Sequence, residues 1–422
     1  MVDVVVVGGG IAGLVAAAVA AKAGANVILL EATPALGGRA STRIVSGYHF
    51  NQGAHALYRD GFLDRALQDL GVDVAGKVPM LADGFFADDK ALHQAPFSAA
   101  GLAATTLLSE AEKGEMAALI RRLIQGSTET PPGASVDEAL AALSPSSRVR
   151  SVLAAMVRLT SIVHAPTVAD GAALLDQLLG GLTRTVLYLD GGWGTMIDGL
   201  RSACAAHGAG LRPGARVERV EPGPPWRATL ADGTVVTARA AILAVMPTQA
   251  AMLHPALKEV CGTADAVPAR VACLDVGLAS LPRADVRFVL GVDRPFYFSV
   301  HSAAARLAPE GAALVHTMRY LEPGEKPDRH QLVAELEAVM DLAQPGWRTL
   351  ERARQFLPAM PVIAAIPFAA RGGLKGRPGV VVPAAEGLFI CGDWVGPVGL
   401  LSDAAAISGR TAGEAAAALA RR

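Results

Sequence analysis

The first thirteen residues constrain the fold more than any later segment. Residues 4–7 are four consecutive valines, and Gly8-Gly9-Gly10-Ile11-Ala12-Gly13 follows at once. An unbroken β-branched run reads as a parallel strand buried on both faces. The glycines then form G-x-G-x-x-G between that strand and an alanine-rich stretch, about residues 12–23, which fits a helix stopped at Gly24. Each glycine has a steric reason: Gly8 permits the tight turn, Gly10 lets the backbone approach a pyrophosphate, and Gly13 brings helix and strand together. The start of the helix offers unpaired N–H groups and a partial positive charge to phosphate. A second strand over 27–30 ends at Glu31, where an acid accepts hydrogen bonds from an adenosine ribose. The opening is therefore a β-α-β unit that binds a dinucleotide.

Hydropathy alone offers another reading, because residues 4–21 carry no charge and reach the ~18-residue length of a membrane span. Three adjacent glycines, Asp3 at the start and the lack of a basic flank argue against it. At 422 residues the chain is expected to form two or three domains of roughly 100–200 residues. Hydrophobic residues reach 52%, much of it alanine, beside 45 glycines, which fits closely packed helices. Net charge is −1 and no Lys/Arg run occurs, so nucleic acid is not an expected partner. Cys204, Cys261, Cys273 and Cys391 form no C-x-x-C pair, which argues against a zinc site or a redox disulfide and suits a reducing cytoplasm. No metal site is expected.

Apolar periodicity in 116–124, 136–143 and 152–162, with a break at Pro131-Pro132, predicts a helical region over 76–184. Short strands are expected over 215–220, 227–230, 234–237 and 241–245, with a hairpin turn at Asp232-Gly233. Residues 272–278, 286–290, 296–300 and 313–320 read as strands of a second sheet, followed by a helix over 330–342. The end returns to strand-turn-helix, with a strand over 388–391 and a helix over 403–420. The expected class is α/β: a discontinuous Rossmann-type nucleotide-binding domain (1–75, 185–265 and 375–422), an inserted helical region (76–184) and a mixed-sheet substrate domain (266–374).

Two further motifs separate FAD from NAD. Gly37-Gly38-Arg39 follows the second strand; its glycines allow close backbone approach, and a guanidinium pairs bidentately with phosphate oxygens. Near the other end, Gly392-Asp393 closes a strand, and Gly399-Leu400-Leu401-Ser402-Asp403 leads into the last helix. FAD needs such a return, because its ribityl chain and isoalloxazine ring extend beyond the first β-α-β unit. Asp393 is placed to accept a ribityl hydroxyl or to sit near the pyrophosphate. Leu400 and Leu401 stand where the last helix aims its positive end at the flavin.

Together these elements resemble the superfamily of flavin-containing amine oxidases, protoporphyrinogen oxidases and phytoene desaturase-like enzymes. The resemblance is specific over about 1–60 and 387–415 and architectural between them. It implies FAD as cofactor and an active site where the FAD and substrate domains meet. The run Tyr188-Leu-Asp-Gly-Gly-Trp-Gly-Thr-Met resembles the family's central glycine motif, and Val217 fits the position whose backbone contacts adenine.

Residues 361–370 hold only Phe368 as an aromatic, and no cysteine occurs over 361–390, unlike the aromatic cage and covalent flavin of many amine oxidases. The resemblance therefore points to the desaturase-like branch, in which flavin takes a hydride from a C–H bond of a largely apolar small molecule. Some relatives isomerise without net oxidation. No second G-x-G-x-x-G follows a strand, so oxygen or a quinone is the expected external electron acceptor. The stretch Phe50-Asn51-Gln52-Gly53-Ala54-His55 resembles the family segment beside the isoalloxazine ring, and His55 is the candidate general base, against a structural histidine donating to backbone. Tyr58, Trp193 and Trp394 are candidate pocket residues; His164, His301 and His316 are expected in core or surface roles. Two rivals stand beside the desaturase-type reading: a flavin amine oxidase, and a flavin-free binding protein resembling Rab GDP-dissociation inhibitors. A peripheral membrane contact is expected from the apolar substrates of the branch and the apolar stretch 102–108.

Overall fold

A computed structural model describes residues 1–81, 83–127, 130–223, 225–261 and 266–421. The valine run forms the strand Val2–Val7, and the helix Ile11–Lys22 follows the glycine turn. Val4, Val5 and Val6 are fully buried, as a strand covered on both faces requires. Strand Val2–Val7 pairs in parallel with Val27–Leu30 on one side and with Val235–Leu243 on the other. The uncharged opening is thus a strand and a largely buried helix of the core, and among the described residues no helix is long and apolar enough to cross a membrane.

Gly210–Arg212 extends this first sheet beyond Val27–Leu30, and Leu388–Ile390 pairs in parallel with Val235–Leu243. An antiparallel meander of Val217–Glu221, Trp226–Leu230 and Val235–Leu243 completes it. The strands expected separately over 234–237 and 241–245 are one strand of nine residues, which carries an antiparallel neighbour at its start and parallel ones at its end. The hairpin at Asp232-Gly233 forms, with Gly233 at φ +82°.

On one face of the first sheet the first helix packs against the last, Leu401–Ala420, which starts two residues before its expected beginning. Glycine and alanine set how close they come: a Cβ on Gly409 would lie 2.4 Å from Ala12 O, and one on Gly413 2.5 Å from Ala16 O. The small-residue composition thus serves backbone-to-backbone packing.

The second sheet has the strand order Glu351–Ile363, Ala269–Leu278, Ala313–Leu321, Phe296–Val300, Phe288–Gly291, Phe85–Ala87 and Leu92–Gln94. Three of its strands depart from expectation. Phe85–Ala87 and Leu92–Gln94 come from the segment read as helical; each is only three residues long, too short for a period to show. Glu351–Ile363 carries Pro358 and Pro361, which an edge strand tolerates because one side needs no N–H donor. The helix Arg329–Ala343 covers this sheet.

The remaining insertion is helical: Ala99–Ala104, Glu110–Ile124, Val136–Leu143, Ser147–Ser161 and Gly171–Thr183. Ser109 with Glu112, and Ser135 with Glu138, form capping boxes that satisfy the first N–H groups of their helices. Leu107 and Leu108 are buried in the core shared by these helices and the second sheet. The apolar stretch 102–108 is therefore divided: Thr105, Leu107 and Leu108 face inward, Leu102 is half-buried, and Ala103, Ala104 and Thr106 are exposed. The expected limit at residue 265 lies outside the described residues.

Candidate active site

One cavity of about 670 Å³ lies where the first sheet, the second sheet and the helical insertion meet. At one end its wall is the glycine loop. Gly8 has φ +109°, and a Cβ there would strike Ala244 O at 2.3 Å; a Cβ on Gly13 would lie 1.9 Å from Gly8 O. These two positions admit only glycine for reasons of packing. Gly10 differs, since a Cβ there would meet nothing within 4 Å and would stand in the cavity. Ile11 and Ala12, at the uncapped start of the first helix, line the same end. Glu31 holds this loop: Gly9 N–H donates to its Oε2 at 2.7 Å, and Thr33 donates to Oε1 from backbone and hydroxyl.

Gly37 and Gly38 line the cavity in left-handed conformations, φ +113° and +51°. Arg39 spends its fork on protein: Nη1 donates to Asp393 Oδ2 at 2.8 Å and Nη2 to Oδ1 at 2.9 Å. Asp393 also accepts from Ala364 N–H at 3.0 Å. Burial alone lowers the Arg39 pKa, but the adjacent Asp393 carboxylate outweighs it and holds the guanidinium above its ordinary value. The pair ties together two motifs that are 354 residues apart. Gly392 is anchored by Ser408, whose hydroxyl accepts from Gly392 N–H and lies at the same 3.0 Å from its carbonyl. Leu400 and Leu401 line the cavity at the start of the last helix, with Leu401 at φ +54°, a strained value for a leucine.

Of the residues singled out in the sequence, Gly8, Gly10, Glu31, Gly37, Gly38, Arg39, His55, Gly392, Asp393, Leu400 and Leu401 line this one cavity, as do Tyr58, Trp193 and Trp394. Gly13 lies just behind the loop. Val217 is not brought to the wall: it begins the outer strand of the meander, and beside Gly8 the wall is made by Ala244, Val245 and Met246.

His55 places Nδ1 3.0 Å from Gly53 O and its ring 4.6 Å from Trp193. Burial pushes its pKa down to about 4, against the upward pull of the Gly53 carbonyl. The imidazole is therefore neutral at pH 7, with Nδ1 against the Gly53 carbonyl and the Arg39 backbone also pulling its pKa upward. Both roles weighed for it meet in this geometry, but a group with so low a pKa is a weak base. Trp193 has no protein partner for its buried indole Nε1. Sequence reasoning missed Tyr297, His301, Met318 and Met360, which line the same cavity from the second sheet and its loops. A partial signal was present: Ser299 and His316 are buried polar residues on the same strands as Tyr297 and Met318, among aromatic and aliphatic neighbours where an unpaired polar group is costly.

A glycine loop, an uncapped helix start, a carboxylate at the end of the second strand and a returning segment across a long cavity fit a bound FAD, and they define a dinucleotide-binding flavoprotein fold whose cavity is closed by the second sheet and the helical insertion. Residues 11–272 match the flavin containing amine oxidoreductase family, and the chain belongs to that family, with FAD as its cofactor. The chain is 32% identical over 280 residues to an uncharacterized protein of Mycobacterium tuberculosis, covering 55% of this chain and 49% of that one; it thus spans about half the length of this curated relative. Over 51 residues, 12% of this chain and 10% of the other, it is 59% identical to carotenoid 3,4-desaturase of Haloarcula japonica. In structure it resembles an oxidoreductase from Methanosarcina mazei, with a TM-score of 0.76 and 18% identity over 98% of this chain and all of the other.

Proposed function

We propose that this protein is an FAD-dependent oxidoreductase of the dehydrogenase or desaturase type, which removes a hydride from a C–H bond of a largely apolar small molecule. The observation that carries this reading is the composition of the cavity. From the glycine loop it runs to a wall of Leu81, Phe97, Met156, Leu159, Ile162 and Leu178, supplied mostly by the helical insertion. Such a wall binds by excluding water and offers a substrate few hydrogen bonds. When bound, the flavin supplies the two-electron chemistry.

The chain's own groups then bind, orient and shield. Gly8, Gly10, Gly37 and Gly38 give close backbone approach, and the first helix directs its N–H groups at phosphate. Glu31 holds the loop and has lone pairs left for ribose hydroxyls. Arg39 and Asp393 lock the two ends of the FAD-binding segments (1–75, 185–265 and 375–422) together, and the start of the last helix, at Leu400 and Leu401, presents positive dipole to the flavin. His55 serves as a neutral acceptor beside the ring. Oxygen or a quinone is the proposed electron acceptor. Four free, buried thiols fit a reducing cytoplasm, which we take as the location; a peripheral membrane contact rests on the apolar substrate and on the partly exposed stretch 102–108.

A second reading, a flavin amine oxidase, is favoured by Tyr188 and Tyr297, whose hydroxyls are 3.3 Å apart at the cavity wall and whose rings can flank a cationic amine. An anaerobic substrate screen that follows flavin bleaching separates the two. Bleaching by polyenes and other apolar compounds, and not by simple amines, is the expected result; bleaching by amines alone selects the oxidase. A colourless protein unable to take up added FAD overturns both and leaves the flavin-free binding protein.

A further inference from the structure

A row of polar side chains crosses the second sheet on the face that carries Met318 and Tyr297 to the cavity. In register across four strands stand Gln355, Asp275, His316 and Ser299. Asp275 and His316 are completely buried. His316 Nδ1 lies 2.7 Å from Asp275 Oδ1, and Gln355 Nε2 donates to Asp275 Oδ2 at 3.1 Å and to Asn51 O at 2.6 Å. The other nitrogen, His316 Nε2, is buried with no hydrogen-bond partner in the protein. Next to it lies His301, with ring centroids 4.3 Å apart. His301 stacks on Tyr188 at 3.9 Å and places Nε2 2.9 Å from the Tyr297 hydroxyl; all three line the cavity.

A carboxylate at Nδ1 fixes the tautomer, leaves Nε2 as the basic nitrogen and stabilises the cation formed when Nε2 gains a proton. If the pair only stapled two strands, the Nε2 left without a partner would be an uncompensated cost, and two apolar residues would do better. An atom of this kind, buried beside an active-site cavity, asks for a chemical reason.

We propose that the Asp275–His316 pair is a proton-holding site that serves the cavity through His301 and Tyr297. The inference rests on the reading of the protein as an FAD oxidoreductase acting on C–H bonds. Oxidation to an alkene removes a hydride from one carbon, with its electron pair, and a proton from the neighbouring carbon, whose C–H pair becomes the π bond. The hydride goes to the flavin and the proton to His316 Nε2. Reoxidation by oxygen or a quinone then consumes two electrons and two protons, one from the reduced flavin and one from His316. His301 and Tyr297, which touch the cavity, are the catalytic members; His316 and Asp275 act through them. The titratable groups facing His316 are Asp275 on Ala269–Leu278, His301 beyond Phe296–Val300, and His55 beyond Tyr48–Asn51. Tyr188 and Tyr297 lie past His301, and Cys273 stands beside Asp275. His55 and His301 are held neutral, chiefly by burial, with His316 adding to the effect.

The test uses holoenzyme labelled with [15N]histidine. At fixed pH near neutrality, the His316 Nε2 resonance is expected to move from the unprotonated to the protonated range when the flavin is reduced anaerobically with dithionite. In Asp275→Asn the change at Nε2 on flavin reduction is expected to be lost at that same pH, because the cation has no carboxylate beside it. With an indicator dye in weak buffer, His316→Gln and His301→Phe each take up about one proton fewer on flavin reduction than the unmodified protein. The reagent's own protons are common to all. A His316 Nε2 that keeps one state in both flavin forms over about pH 5 to 9 overturns the proposal without any variant. Equal proton counts in a folded, FAD-loaded His316→Gln protein overturn it as well. A chain that takes up no FAD fails the functional reading instead, and an Nε2 that never titrates in that chain removes the proton-holding pair too.

Discussion

At the scale of single residues, Arg39 shows how much of a site one side chain can hold. Its fork closes on Asp393, whose side chain is 3% exposed, while the arginine side chain as a whole is 38% exposed. Removing one partner of a fully buried pair costs about 3–5 kcal/mol, because the other charge is left unpaired in a dry place. With the arginine partly in water, Arg39→Leu is expected to lose about 2–3 kcal/mol in urea unfolding and to weaken FAD binding. Arg39→Lys recovers only part of both, since an ammonium cannot reproduce two parallel bonds. An Arg39→Leu protein with unchanged stability and unchanged FAD affinity would show that the pair is incidental. The glycines around this pair were legible in the sequence because each answers a local question of backbone angle or approach. Asp393 as the partner of Arg39 was not, because the two meet only through the fold. Nor was the Asp275–His316 pair, 41 residues apart, since a histidine in a strand announces burial but not what it faces.

Elements were legible where length let a period develop. The helices Glu110–Ile124, Val136–Leu143 and Ser147–Ser161 carry apolar stripes and serine caps; the stretches read at 116–124, 136–143 and 152–162 fall on all three, although the first and third helices begin six and five residues earlier. The short strands Phe85–Ala87 and Leu92–Gln94 have no such length, and the register they join is supplied by Phe288–Gly291, about two hundred residues further along. The seam between the first and last helices was also hidden, although its small residues were in plain view. Gly409→Ala tests it: the added methyl would sit 2.4 Å from Ala12 O, against backbone that cannot give way, so a loss of roughly 1–3 kcal/mol is expected. Gly114→Ala is the control. Gly114 is exposed on Glu110–Ile124 with nothing within 4 Å of the added Cβ, and a gain of about 0.5–1 kcal/mol is expected there. If both substitutions stabilise in thermal unfolding, the two helices do not pack as closely as described.

For the whole molecule, the FAD-binding fold and the cofactor follow from three glycine-bearing segments, whereas the wall proposed to select the substrate is assembled from parts far apart in the chain. That assembly has a consequence for stability against pH. Burial pushes His55 and His164 down to about 4, and His301 well below its ordinary value. In the unfolded chain each binds a proton near pH 6.5. Between about pH 6.5 and 4 the unfolded state therefore holds up to about three more protons than the folded one at these sites, and falling pH favours unfolding. Above that window the three histidines are neutral in both states and contribute no slope. Below about pH 4 the contributions of His55 and His164 level off. The expected observation is an unfolding free energy that rises with pH across this window and flattens above it, with His55→Gln lowering the slope near pH 5 by about one proton. Bound FAD covers the cavity that His55 and His301 line, so it is expected to hold their pKa values down and keep the slope while raising the whole curve. A slope that is the same with and without His55 would mean that its ring is already protonated in the folded protein, and the neutral acceptor assigned to it beside the flavin would have to be withdrawn.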